Sequence, residues 1–339
     1  MNDFRRTVSD LFELGVIRAF AEFPYGNANR LWTFETDTQS FIVKEFRYTV
    51  SDTAWVSAIR SAAEFEYKIW QTGQVTMADP VRTIDDEFIP IVTGSRGKKV
   101  AIRVHRRLIG TKAKTPVSTD VATAAGYTLS TIQLLGRNYL TRNRKSLRWW
   151  RWNPKVIISS LRARGLANEQ LMQRFLSILP DAEELISSAE GLDGACIYSH
   201  YDFKPENILF TSSGLAVLDW DEASLCHPRL EAIEAAFLWS FFGRGESCPD
   251  VFAAFMEGYR RNGKPIEKIT RTDFGKWTAA KVGWIEYLGR RALGEFAETE
   301  SEISEATRRV ELEIEFFLKT LSVVLRLGAT PNASQQPYR

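Results

Sequence analysis

The sequence predicts an α+β fold in two lobes, the first an antiparallel sheet with one main helix and the second mostly helical. Two patterns predict it: apolar and polar residues alternate in strand-like runs through the first 110 or so positions, and long helical-period segments dominate after them. The length of 339 residues suits two lobes, and 44% hydrophobic with 25% charged residues is an ordinary globular composition that supports a sizeable core.

The elements follow in order. Val16 to Tyr48 reads as a three-stranded meander, VIRAFAEF, NRLWTFET and QSFIVKEF, with PYGNA and TDT as the turns. SDTAWVSAIRSAAEFEYKIWQTG reads as a helix that Ser51 is positioned to cap and Gly73 stops. EFIPIVTG and KKVAIRVHRRLIG add two strands, the second closing at Gly110. From Val121 to Ser188 the chain reads as mostly helical; ACIYSHYDFKPENILF and LAVLDWDE interrupt it as short strands and turns, and helices return from Arg229 to Leu327. The expected boundaries are a first lobe at 1–104, a connector at 105–110, a second lobe at 111–327 and a loose tail at 328–339.

Whole-chain properties exclude several classes. A net charge of +2 gives no global attraction to nucleic acid or membranes. Cys196, Cys226 and Cys248 lack CxxC spacing, which argues against a disulfide framework or a zinc site and for reduced cytoplasmic thiols. The N-terminal MNDFRRTVSDLFELG has no long apolar region, and no run approaches the roughly 18 apolar residues of a membrane span. The expectation is a cytoplasmic protein without nucleic-acid or membrane partners, its oligomeric state left open.

SHYDFKPENILF sets Asp202 and Asn207 five residues apart in one turn, and twelve residues after Asn207 a second apolar run, LAVLDWD, ends in Asp219. An Asx-rich turn alone explains the first pair. If the runs pair as a hairpin, however, all three oxygen-bearing side chains converge. Phosphoryl transfer from a nucleotide asks for such a set: oxygens to hold magnesium across the phosphates, and a carboxylate to orient the accepting hydroxyl and take its proton.

HYDFKPEN followed by LDWD resembles the catalytic loop and metal-binding strand end of the aminoglycoside phosphotransferase family, small-molecule kinases with a bilobal protein-kinase-like fold. The resemblance implies Asp202 as catalytic base, Asn207 and Asp219 as magnesium ligands with Asp221 as a further carboxylate beside them, and His200 as the brace of the loop. It also implies Lys44 in FIVKEF as the contact to the nucleotide phosphates and Glu66 in FEYKIW as its helix partner, with Glu64 as the alternative. PYGNANRLW falls at the phosphate-covering loop, which makes Gly26, Asn27 and Asn29 the implied contacts. Val104, His105 and Arg106 fall at the hinge that binds adenine through its backbone. The likeness spans nearly the whole chain, in the expected order of lysine, glutamate, hinge, loop and metal strand.

There are departures. Tyr201 stands where the family usually has a small residue, often glycine. Lys204 in KPEN matches a protein-kinase lysine that contacts the transferred phosphate, yet DWD replaces DFG, no APE follows and neither GxGxxG nor GxxxxGK[ST] is present. The implied cofactors are ATP or GTP and magnesium.

The acceptor is less defined. Eight basic residues from Arg142 to Arg164, interleaved with Trp149, Trp150 and Trp152, suit an anionic or aromatic acceptor, single-stranded nucleic acid, or an ordinary solvated helix face with the tryptophans packed inward; no RNA-binding signature accompanies them, and the last is the plainest explanation. Glu286, Glu295, Glu298, Glu300, Glu302 and Glu305 make the closing helices acidic, which favours an amine-rich hydroxyl compound such as an aminoglycoside or related antibiotic; salt-bridged exposed helices are the plainer explanation. The expectation is an antibiotic-resistance kinase, with a metabolite kinase for choline, homoserine, methylthioribose or a similar compound as alternative, and a catalytically silent nucleotide-binding regulator as the non-enzyme alternative.

Overall fold

The computed structural model describes residues 2–23, 29–47, 50–139, 153–189, 196–243, 245–297 and 299–327. Its fold is mixed α+β, and its contacts group the chain into two units: Met1–Arg144 with Ile197–Cys226 and Ala235–Gly263, and Lys145–Cys196 with His227–Glu234 and Lys264–Arg339.

In the first unit the meander forms as its alternation predicts. β1 (Ala19–Phe23), β2 (Arg30–Glu35) and β3 (Ser40–Glu45) pair antiparallel in succession, and β7 (Lys99–Arg106) joins the far side of β3. Short strands β5 (Pro80–Val81) and β6 (Ile91–Thr93) also pair with β7. The centre of β7 is buried on both faces because helices cover both. On one face α1 (Asn2–Leu11) brings Phe4 and Val8, with Phe12 just beyond, against Trp32, Phe34, Phe41, Val43, Ile102 and Val104. On the other, α2 (Thr53–Thr72) packs Ile59 and Ala63 against Phe46, Ile89 and Ala101. Strand periodicity therefore points Lys44 and Arg103, direct cross-strand partners, toward α2.

α2 stops at Gly73 as expected, but its N-cap is Asp52 and not Ser51: the Asp52 carboxylate accepts from the backbone N–H groups of Ala54 and Trp55 at 3.1 and 3.0 Å. α1 is an element the sequence reading lacked.

Among the described residues the first unit also holds six short strands and two whole helices. β4 (Thr76–Met77) runs parallel to β11 (Gly214–Val217), which forms a hairpin with β10 (Ile208–Thr211), and β8 (Thr111–Lys112) pairs with β10. β9 (Ile197–Ser199) pairs with β12 (Ser224–Cys226). α3 (Thr119–Gly136) crosses α7 (Pro249–Tyr259) at reciprocal glycines. A Cβ on Gly126 would lie 1.9 Å from the Phe255 carbonyl oxygen, and one on Gly258 would lie 1.9 Å from that of Thr123. Both obstacles are backbone, which has little room to give. Gly126→Ala should therefore destabilise at or above the top of the overpacking range, about 3 kcal/mol, measured by urea unfolding; a loss below 1 kcal/mol would show that the helices separate freely.

The second unit is helical: α4 (Pro154–Ala163), α5 (Glu169–Ala189), α8 (Gly275–Ala292) and α9 (Glu300–Arg326), with α6 (Pro228–Phe241) entering it at its N-terminal end. Its acidic residues mostly carry their own cations. Arg290 pairs with Glu286 and Glu295, Arg291 with Glu302, and Arg308 with Glu305. The charge argument for an amine-rich acceptor loses most of its carboxylates to these pairs; Glu298 lies outside the described residues. In the basic stretch, Trp149, Trp150 and Trp152 also lie outside them, while Lys155 and Arg162 pair with Glu183 and Glu169. Among the described residues no helix is long and apolar enough to cross a membrane.

Candidate active site

Two loops build the site, and two strand pairs clamp them. The first, 200–207, joins β9 to β10; the second, 218–223, joins β11 to β12. Since β9 pairs with β12 and β10 with β11, the loops face each other from between two ladders. The hairpin register sets Ile208 opposite Val217, and Leu218 N–H donates to the Asn207 carbonyl at 2.8 Å, bringing Asn207 alongside the start of the second loop. The convergence expected from the two apolar runs is therefore the one the fold makes.

Within the first loop Asp202 is half-buried. Its Oδ2 accepts from Lys204 Nζ at 2.7 Å and from Asn207 Nδ2 at 2.9 Å. Burial alone would lower the Lys204 ammonium, but the Asp202 carboxylate holds it above the usual lysine range. His200 is fully buried; its Nε2–H donates to the Leu218 carbonyl at 2.9 Å, and its ring lies against Trp220 at 4.7 Å. It ties the first loop to the residue just before Asp219.

Tyr201 has φ of 69°, in the left-handed region that a side chain with a Cβ occupies at a cost. That gives the departure at this position a physical reading, since glycine reaches the same backbone freely. Tyr201→Gly should be more stable than Tyr201→Ala by about 1 kcal/mol, a comparison that removes the ring from both sides; equal urea midpoints would mean the backbone relaxes instead.

Asp219 also has positive φ, 60°, at the end of β11. It and Asp221 converge on Lys44, whose Nζ lies 2.6 Å from Asp219 Oδ1 and 2.5 Å from Asp221 Oδ2. Burial favours the neutral forms, but the opposite charges override it: Lys44 is held above the usual lysine range and Asp219 well below the usual carboxylate range. Glu222, which the sequence reading did not single out, is exposed in the same turn. Partial loss of hydration, then the charges of Asp202, Asp221 and Asp219, push its carboxyl up to about 7.

Glu66 is the buried member of the Glu64/Glu66 pair and Glu64 is exposed, so the helical phase resolves that alternative. The expected Lys44–Glu66 pair is not what forms. Glu66 is taken by Arg103, in a close ion pair, and by His105, whose Nε2 lies 3.0 Å from Glu66 Oε1. The cause is position: Arg103 stands directly opposite Lys44 on the face toward α2 and reaches the helix first. Burial, aided by Arg103 and Lys44, holds His105 well below the ordinary histidine range, so it faces Glu66 as a neutral donor.

The hinge expectation also needs correction. Val104, His105 and Arg106 lie inside the sheet, with β3 on one side and β5 or Asp79 on the other; Arg106 N–H donates to the Asp79 carbonyl at 2.9 Å. Backbone groups already bonded within a sheet are not free for a base, which tells against Val104, His105 and the Arg106 N–H as that contact. Arg107 N–H still bonds Ser40, and the chain leaves this sheet over 108–110. Of the covering loop, Gly26 and Asn27 lie outside the described residues, while Asn29 Oδ1 accepts from Arg47 N–H at 3.4 Å.

Among the described residues no group of three or more His, Cys, Asp or Glu side chains forms a metal cage. Magnesium at a nucleotide needs none, because phosphates and water complete its shell around one or two protein oxygens. The residues fit that demand: Asp219 already accepts a cation, the Lys44 ammonium, and Asn207 turns its amide nitrogen to Asp202, which leaves its oxygen as the donor.

The chain matches the phosphotransferase enzyme family over residues 20–268. Among solved structures it is similar to spectinomycin phosphotransferase bound to ADP and spectinomycin, with TM-score 0.63 and 12% identity over 96% of this chain and 97% of that one. It is similar to an amicoumacin kinase bound to AMP-PNP and Ca²⁺, with TM-score 0.61 and 13% identity over 93% of each chain. It is similar too to a microcompartment-associated aminopropanol kinase, with TM-score 0.63 and 12% identity over 95% of this chain and 98% of that one. At these identities the likeness is one of fold. No curated protein sequence matches the chain.

Proposed function

We propose that this chain, which belongs to the phosphotransferase enzyme family and is a small-molecule phosphotransferase, moves the γ-phosphate of ATP or GTP to a hydroxyl of a hydroxylated antibiotic. The observation that carries the transfer chemistry is the pair of facing loops, with Asp202 on one and the Lys44-bound Asp219 on the other. Support for nucleotide use comes from the similar structures, solved with ADP or AMP-PNP. Support for the acceptor class is the fold shared with kinases named for spectinomycin and amicoumacin.

In this reading Asp202 orients the acceptor hydroxyl and takes its proton as the bond to phosphorus forms. Lys204, already on the Asp202 carboxylate, turns its ammonium toward the transferred phosphate. Lys44 holds the phosphates in line from the opposite side. Magnesium, when bound, neutralises phosphate charge, and Asn207 and Asp219 are the residues that would hold it. His200 keeps the two loops in register through Leu218. The adenine contact belongs to the connector after Arg107, where the chain leaves the β3–β7 ladder. The same reading carries the first lobe through Arg107, three residues past the expected boundary of 1–104, and leaves the second at 111–327. The setting is the cytoplasm, where the free thiols of Cys196, Cys226 and Cys248 stay reduced.

A second acceptor class, a small amino-alcohol metabolite, is favoured by the aminopropanol kinase, whose TM-score equals that of the spectinomycin enzyme. The deciding experiment incubates the protein with ATP or GTP, magnesium, and a panel of hydroxylated antibiotics and amino alcohols, and reads phosphorylated product by mass spectrometry. Product from antibiotics, together with protection of cells making the protein, supports the first reading, and product from amino alcohols alone supports the second. Nucleotide binding with no product from any acceptor would point to a silent regulator.

A further inference from the structure

Arg103 has no part in the function derived so far, yet it is among the most buried residues of the first unit, at 1% exposed. A buried guanidinium is tolerated only where carboxylates meet it, and Arg103 meets two from different elements. One arm of its fork reaches Glu66 on α2; the other, Nη1, lies 2.9 Å from Asp221 Oδ1 in the second loop. Asp221 in turn gives its other oxygen, Oδ2, to Lys44 at 2.5 Å, and Lys44 reaches Asp219. The result is an alternating chain of charges, Glu66, Arg103, Asp221, Lys44 and Asp219, running from the helix to the end of β11.

Two consequences follow from this order. Lys44 has no bond to Glu66, so its position depends on the helix only through Arg103 and Asp221. Both oxygens of Asp221 are engaged by cations of the protein, which suits a relay better than a metal ligand. Lysine cannot replace Arg103 here, because a single ammonium on a flexible stem lacks the planar fork that addresses two carboxylates in fixed directions.

Resting on the kinase reading above, we propose that Arg103 is a positioning residue: it takes over the helix glutamate and, through Asp221, fixes the Lys44 ammonium where the nucleotide phosphates arrive.

The test compares Arg103→Met, Arg103→Lys and the double variant Glu66→Met/Arg103→Met with the wild type. The double variant removes the buried ion pair as a whole, an exchange for apolar side chains that is often neutral for stability, so it keeps the test alive if Arg103→Met does not fold. Two readouts are taken: kcat and both KM values with magnesium, and ATP affinity in EDTA by calorimetry, which reads the Lys44 contact without metal or turnover. A misplaced phosphate contact should cost about 100-fold in kcat/KM for nucleotide, with the acceptor KM changed less than about threefold and weaker ATP binding in EDTA, in Arg103→Lys and in the folded double variant alike. Recovery of wild-type kcat and affinity by the double variant would reduce Arg103 to a stabilising role and overturn the proposal, as would rescue by Arg103→Lys. Should the wild type phosphorylate nothing, the kinase reading fails by itself, and ATP affinity in EDTA still decides whether Arg103 sets Lys44.

Discussion

Asp202→Ala should lower the phosphorylation rate by about 10²-fold to 10⁴-fold, with nucleotide affinity within a few-fold of the wild type. The side chain accepts from Lys204 at 2.7 Å and from Asn207 at 2.9 Å, and both donors can find water once it is gone, because Asp202 is only half-buried. Folding should therefore survive. The loss should fall on kcat and leave both KM values near their original values, since removing a group that acts mainly as the proton moves takes away transition-state stabilisation and not ground-state binding. Steady-state kinetics on whichever acceptor the panel identifies makes the measurement. A variant with wild-type kcat would remove Asp202 from the chemistry. A variant with unchanged kcat and a raised acceptor KM would recast it as a binding group.

How far the sequence could be read depended on the range of the interaction. The meander, the helix stopping at Gly73 and the two apolar runs around HYDFKPEN were legible because each rests on a local period or a local turn signal. The loop residues were legible for the same reason: Asp202, Asn207 and Asp219 are brought together by a hairpin, the shortest-range tertiary contact a chain can make. α1 was missed although Phe4, Val8 and Phe12 recur every four residues; its helix is only ten residues long, and its main support is the sheet it covers.

The charge pairing was not legible. Lys44, Arg103, Glu66, Asp219 and Asp221 carry three acids and two bases in one cluster that is largely buried except at Asp219, and several pairings satisfy the count. The choice is made by the register of β3 against β7, which sets Arg103 directly across from Lys44, and by the direction of α2 over them. Neither quantity is written in any one segment. The hinge was misplaced for a related reason. Strand alternation shows that KKVAIRVHR is a strand, but only the neighbours on both sides show that Val104, His105 and the Arg106 N–H are already engaged within the sheet. A buried arginine in the middle of an apolar strand, IRV, was the available signal, since such a residue demands carboxylates close by.

Lys44→Met should cost about 10²-fold to 10³-fold in kcat/KM for nucleotide, because it removes the only ammonium that meets both Asp219 and Asp221 among the described residues and with it the proposed phosphate contact. It should also change how stability depends on pH. In the wild type Lys44 holds Asp219 well below the usual carboxylate range, so the contribution of the ionised Asp219 is present above about pH 4 and is lost as pH falls toward its depressed native value. In the variant Asp221 keeps Arg103 at 2.9 Å, but Asp219 has lost the ammonium that overrode the effect of burial, so its proton is bound more readily in the folded state than in the unfolded chain. The variant's stability should then rise as pH falls from neutral toward about 4, while that of the wild type gains nothing from this site over the same interval. The gap in Tm between the two proteins should be widest near neutral pH and narrow toward acid, followed by circular dichroism across that interval. Asp219 is about half exposed, so solvent offsets part of the burial and the stability effect is the smaller of the two. A gap that stays constant with pH would mean that Lys44 does not neutralise these carboxylates in solution, and the chain of charges from Glu66 to Asp219 would be broken at its last link.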